Sequence, residues 1–172
     1  DRFVRAFGIQ YAKFETLEET VLRQSIKRIF GNERLPAFDI ENARYILSFG
    51  ADFLGNWLSP VHYSRQYGEF RQGTGRTRGT LVQVEPRFSL TAANADEWVP
   101  IKPGTEGILA LSIASVIVED NLGDPQAGQI VNSIVGNQAL QSFSPDTAAQ
   151  ITGVSAQRIH EIAHAFAGET QP

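Results

Sequence analysis

His160-Glu161-Ile162-Ala163-His164 matches H-E-x-x-H, the helical spacing that sets two imidazoles on one face with a glutamate as general base for a zinc-bound water. A catalytic zinc needs a third protein ligand. Only eight residues follow His164, none of them histidine, and Gly168 stands one place too late for the extended H-x-x-G-x-x-H form. His62 is far away in sequence. The pentapeptide therefore reads better as two polar positions beside the apolar stripe of a last helix, with a zinc hydrolase through His160-Glu161-x-x-His164 as the remote alternative. No metal-ligating set is assigned.

Gly73-Thr74-Gly75-Arg76-Thr77-Arg78-Gly79 approaches G-x-G-x-x-G, but Arg78 replaces the third glycine and the loop precedes a strand, so it offers no helix N-terminus to a phosphate. With Arg71 it reads as a solvated basic loop, able at most to meet an anion or an acidic surface. Glu85 ends a strand and is followed by Pro86-Arg87, a place from which an acid can accept from ribose hydroxyls. Asp96 and Glu106, the latter beside Thr105, read as acids favoured at helix starts by the macrodipole. The chain offers no Ser–His–Asp or Cys–His set.

These groups need elements to hold them. Thr16-Leu17-Glu18-Glu19 is a capping box for an amphipathic helix carrying Leu22, Ile26, Ile29 and Phe30 and closed by Gly31. Residues 32–42 read as a connection. Tyr45–Phe49 is a short apolar run with the form of a parallel strand buried on both faces, turning at Gly50-Ala51-Asp52. Ser59-Pro60 starts a helix to about Phe70, with Ser59 at the cap and proline at the first position. Thr80–Val84 is the second strand, and Glu97–Ile101 a short third whose Pro100 suggests an edge. Thr105 caps an apolar helix to about Glu119, and helices are expected over 126–140, after Ser144-Pro145 up to Gly153, and after Ser155. Strands alternating with helices predict an α/β fold, a Rossmann-like small parallel sheet flanked by helices.

The totals agree with one domain over residues 1–172. A chain of this length can bury roughly 70% of its unfolded surface. With 42% hydrophobic and 20% charged residues it has a globular composition. A net charge of −4 disfavours non-specific binding to nucleic acid. The absence of cysteine excludes a disulfide framework or an iron–sulfur cluster within these residues. The longest apolar run, Gly107–Val118, falls short of the ~20 residues of a membrane span, so direct membrane insertion is not expected. Starting at Asp1 and lacking methionine, the sequence reads as an excised or processed piece.

Four segments in order carry a family pattern. Ala43–Asp52 has the strand and loop of a "viGaNp" motif. Glu85-Pro86-Arg87 through Ala95-Asp96-Glu97-Trp98-Val99-Pro100-Ile101 follows "DPR…t..A..AD.wlpi". Lys102-Pro103-Gly104-Thr105-Glu106 follows "rPGTD". Phe143-Ser144-Pro145, Ile151-Thr152-Gly153-Val154-Ser155 and Arg158-Ile159 to Ala163 follow "ytpe…itGv…eIrelA". Over residues 43–167 the chain thus resembles the large-subunit family of molybdopterin oxidoreductases, of the dimethyl sulfoxide reductase and formate dehydrogenase type. The resemblance also makes H-E-x-x-H an ordinary helix of that family.

It implies an α/β nucleotide-binding domain cut from a much larger oxidoreductase chain, not catalytic by itself, that in the family holds molybdopterin guanine dinucleotide. By position Gly50 and Asp52 would meet the pyrophosphate or nucleotide, Glu85 with Arg87 the ribose, and Thr105 with Glu106 the guanine. Iron–sulfur clusters would lie only outside this segment. Asp52 replaces the usual asparagine, and Glu85 and Glu106 replace aspartates. Gly50-Ala51-Asp52-Phe53-Leu54, Trp57-Leu58-Ser59-Pro60 and the acids at 85 and 106 are similar to the iron–sulfur subunit of bacterial alternative complex III, whose molybdopterin-type domain is understood to have lost its cofactor. That resemblance implies a scaffold domain in a quinol-oxidising electron-transfer complex. Its partners would be other domains of its own chain and respiratory subunits, on the periplasmic side of the bacterial cytoplasmic membrane. The alternative is an active molybdenum or tungsten enzyme domain.

Overall fold

The computed structural model describes residues 2–9, 19–72, 77–123, 126, 129, 133 and 140–168. The chain divides into two compact units, residues 1–38 and 39–172. The first contains helices α1 (Arg2–Phe7) and α2 (Thr20–Phe30). Gly31 closes α2 in the left-handed region (φ 71°), its amide donating to the Lys27 carbonyl. Of the expected apolar stripe, Ile26 is buried and Leu22 half-buried, whereas Ile29 and Phe30 are exposed. Residues 16–18 of the expected capping box lie outside the described residues, and Glu19 occupies the cap position without a capping side-chain bond. It pairs instead with Arg23 one turn on, at 2.6 Å.

The second unit is built on a parallel sheet in the order β1 (Tyr45–Phe49), β2 (Thr80–Val84), β3 (Glu97–Val99). α3 (Pro60–Gln72) returns the chain from β1 to β2, and the five-residue α4 (Leu90–Asn94) returns it from β2 to β3. After β3 come α5 (Glu106–Glu119), α6 (Pro145–Thr152) and α7 (Ala156–Gly168). The capping chemistry expected late in the chain is present. Ser144 accepts from the Thr147 amide, Gly153 takes φ 85°, and Ser155 accepts from the Arg158 amide. The helix expected over 126–140 lies largely outside the described residues. α4 has no counterpart in the sequence expectation.

Alternation along the strands divides the interior in two. Val82, Val84, Val99 and Ile101 pack with Leu109, Ile113 and Val116 of α5, Ala148 of α6 and Ile159, Ile162 and Ala163 of α7. Leu81, facing the other way, packs with Ile40, Phe53, Tyr63 and Phe70. The sheet is therefore a middle layer covered on both faces, which is why β1 and β2 are mostly apolar, interrupted only by Ser48, Thr80 and Gln83. At the sheet's amino end Asp96 ties the strands to α3. Its carboxylate accepts from the Leu81 amide at 2.8 Å and pairs with Arg71, and with Arg78 at 3.3 Å. This corrects the expectation of a helix-start acid: α4 ends at Asn94, so Asp96 stands beyond a helix C-terminus, where the dipole gives it no support. The same pairs account for two arginines of the basic loop; Arg76 lies outside the described residues. At the far edge Arg158 of α7 grips both oxygens of Glu97 on β3.

No helix among the described residues is long and apolar enough to cross a membrane.

Burial pushes the Asp96 carboxyl up, but the Arg71 hydrogen bond, the Leu81 amide and the charges of Arg71 and Arg78 outweigh it and hold the group below its ordinary value of 3.8. A depressed carboxyl stabilises the fold fully above 3.8 and loses that contribution as pH falls through its folded value. Asp96→Asn is expected to cost about 2 kcal/mol at neutral pH, the scale of hydrogen bonds to a charged group. In urea unfolding across pH, the gap from wild type should close below pH 3.8.

Candidate functional site

Three parallel strands end at the same side of the sheet, and their exits carry the six residues singled out in the sequence. β1 runs into Gly50-Ala51-Asp52, β2 into Glu85-Pro86-Arg87, and β3 through Ile101 and Lys102 into Thr105-Glu106 at the start of α5. In α/β sheets this is the end at which ligands lie. Gly50 takes φ 66°, a left-handed turn that spares glycine the steric cost, and its amide donates to the Val84 carbonyl at 2.9 Å.

Asp52 is turned inward, with 8% of its surface exposed. Its Oδ1 accepts from the Thr91 hydroxyl at 2.8 Å and from the Thr91 amide at 3.1 Å, while the Leu54 amide donates to Thr91 Oγ1 at 3.1 Å. The Asp52 carbonyl accepts from the amides of Gly55, Asn56 and Trp57. One residue thus folds the β1 exit loop onto itself and fastens it to α4. Gly55 leaves room for it: a Cβ there would stand 2.7 Å from the Asp52 carboxyl carbon and 2.8 Å from Oδ1. Arg87 approaches the other oxygen, Oδ2, at 3.6 Å, with its side chain 70% exposed.

Glu85 is deeper still, 3% exposed. Its Oε1 accepts from the Ser89 amide at 2.8 Å and its Oε2 from Gln83 Nε2 at 3.0 Å, while Trp98 Nε1 donates to its backbone carbonyl at 3.0 Å. Gln83 is wholly buried; its Nε2 also reaches the Ala51 carbonyl at 3.5 Å, and its Oε1 has no hydrogen-bond partner among the described residues. Thr105 holds the cap position of α5 without capping it. Its hydroxyl donates back to the Lys102 carbonyl at 2.6 Å. The structure therefore links Asp52 to Arg87 directly, and leaves Thr105 and Glu106 joined to the other four by no hydrogen bond or ion pair among the described residues. Sequence reasoning missed Thr91, Ser89 and Gln83. Ser89-Leu90-Thr91-Ala92 carried a faint cap signal, and a glutamine inside the strand run Thr80–Val84 was the other sign available.

Residues 9–168 match the molybdopterin oxidoreductase family. This chain belongs to that family. The molybdopterin oxidoreductase domain is 33% identical over 158 residues to the arsenate respiratory reductase molybdopterin-containing subunit ArrA of Shewanella sp. (strain ANA-3), covering 77% of this chain and 18% of that protein. It is 29% identical over 144 residues to the menaquinone reductase, molybdopterin-binding-like subunit of Nitratidesulfovibrio vulgaris (strain Hildenborough), covering 84% of this chain and 20% of that one. Among solved structures it superposes on acetylene hydratase from Pelobacter acetylenicus with a TM-score of 0.60 and 26% identity, over 76% of this chain and 18% of the other. The chain spans about a fifth of the length of the curated relatives it matches.

The family's cofactor implies a test of the donor set. A nucleotide at this edge needs carboxylate oxygens directed outward to accept from hydroxyls or base N–H groups. Here both oxygens of Glu85 and Oδ1 of Asp52 already accept from the protein's own groups, and both side chains are buried. In this arrangement those two residues do not fit a guanine dinucleotide. Gly50, Arg87 and Glu106 retain solvent-facing surface.

Removing the Asp52 acceptor strands the buried amide and hydroxyl of Thr91. Asp52→Ala is expected to cost about 2–3 kcal/mol. Asp52→Asn keeps an acceptor for Thr91 and gives up the charge on those bonds and the contact with the exposed Arg87, so it should cost less than Asp52→Ala, about 1 kcal/mol. Gly55→Ala, which forces the carboxylate aside, should cost about 1–3 kcal/mol. Urea unfolding followed by the fluorescence of Trp57 and Trp98 orders the three.

Proposed function

We propose that this domain is a scaffold that has lost its pterin, in a molybdopterin-type oxidoreductase subunit of a membrane-attached, quinol-oxidising electron-transfer complex. One observation carries the reading: Asp52 and Glu85, at the strand ends where a dinucleotide would be recognised, are buried, and both oxygens of Glu85 and Oδ1 of Asp52 accept from the protein's own groups. A carboxylate at 52 also repels a phosphate where an amide could donate to it. Gly50, Asp52, Glu85, Arg87, Thr105 and Glu106 then mark an ancestral guanine dinucleotide site. Residues 1–172 form one domain of a larger chain, whose iron–sulfur clusters and remaining domains carry the electrons. The relative named a menaquinone reductase, molybdopterin-binding-like subunit supports the quinone link. On this reading the protein sits against respiratory subunits at the periplasmic face of the bacterial cytoplasmic membrane.

The second reading, an active molybdenum or tungsten enzyme domain, is favoured by the match to a reductase subunit named as molybdopterin-containing. Elemental analysis and the fluorescence of oxidised pterin, both on the full-length natural protein, separate the two. The scaffold reading expects no molybdenum, no tungsten and no pterin. One molybdenum or tungsten per chain, with pterin, overturns it and establishes the second.

A further inference from the structure

The third ligand that the sequence did not supply for His160 and His164 is present in space. Asp120 follows the last turn of α5, and α5 packs on α7 through Leu109, Ile113, Val116, Ile159, Ile162 and Ala163. That packing brings one ligand atom each from Asp120, His160 and His164 within 4.8 Å of one another, all on exposed side chains. His164 Nε2 lies 2.9 Å from Asp120 Oδ2, while the His160 imidazole has no hydrogen bond or ion pair among the described residues.

We infer that Asp120, His160 and His164 form a surface site for a divalent transition ion of the zinc class, clipping the end of α5 to α7. Two imidazoles and one carboxylate are borderline donors that suit zinc, nickel or copper better than calcium or magnesium. Around a tetrahedral zinc with bonds of ~2.0–2.1 Å, ligand atoms stand about 3.4 Å apart. The ion therefore replaces the His164–Asp120 hydrogen bond and draws the wider separations in by at most about 1.4 Å, within reach of exposed rotamers. The place favours a cation independently of the histidines. Glu119 and Asp120 sit at the negative end of a 14-residue helix, where the macrodipole disfavours carboxylates unless a positive charge stands beside them.

The site is a clip and no hydrolase. Glu161, the residue that would act as general base, has one oxygen bonded to Arg158 at 2.6 Å and the other to Gln157 at 2.9 Å, both on its own helix. It does not belong to the cluster.

The test is Zn2+ titration by calorimetry of the full-length protein as wild type, Asp120→Asn, His160→Gln and, as a control outside the site, His62→Gln. Co2+ absorption reports the ligand field alongside. The expected result is one equivalent bound by wild type and His62→Gln, and binding at least about tenfold weaker in each of the other two, since loss of even an outer-shell partner costs that much. Zn2+ should also raise the Tm of wild type alone among wild type, Asp120→Asn and His160→Gln. Failure of wild type to bind, or unchanged binding in Asp120→Asn and His160→Gln, overturns the site and leaves an Asp120–His164 ion pair. Because the three side chains are exposed, the metal-free variants are expected to unfold at the wild-type temperature.

Discussion

The bond between the Asp52 carboxylate and Thr91 fixes the edge of the sheet at which the candidate site lies. A buried carboxylate must find donors, and here it finds an amide and a hydroxyl 39 residues away, at the start of a helix too short to stand unaided. The bond holds α4 against the β1 exit loop, and α4 in turn sets where β3 begins. Glu85 does the same work from the neighbouring strand, through Ser89 at the cap of α4. The exits of the two strands are thereby welded into a single polar cluster beneath the surface.

That cluster explains why a chain with recognisable cofactor-domain motifs behaves differently at the motif's own acids. The parallel sheet brings the expected residues to one edge, as topology requires. Topology does not decide which way a carboxylate points. Side-chain length and local donors decide that: Gln83 behind and Ser89 ahead offer Glu85 both of its partners without leaving the interior. Arg87, with no such offer, remains largely in water.

Much of the fold could be read from the chain because its cues are local. The apolar runs Tyr45–Phe49 and Thr80–Val84 had to be strands covered on both faces, and Ser144, Gly153 and Ser155 mark helix ends through bonds to residues a few positions away. What could not be read depends on distant partners. Leu90–Asn94 has no apolar period of its own and is a helix because Asp52 and Ser89 hold its first turn. Asp96 looked like a helix-start acid until α3 delivered Arg71 to it. Asp120 is separated from His164 by 44 positions and meets it only because α5 and α7 share an apolar face. In each case a pairwise chemical preference was visible, while the fold alone determined which pair would form.

Gly55 couples two positions of the β1 exit loop. Its missing side chain is the space into which the Asp52 carboxylate fits, so positions 52 and 55 cannot drift independently. Any residue larger than glycine at 55 is admissible only after the side chain at 52 has moved or shortened, which releases Thr91 and unsettles α4. Sequence change at the two positions is therefore coupled: a side chain at 55 is accommodated only together with a change at 52.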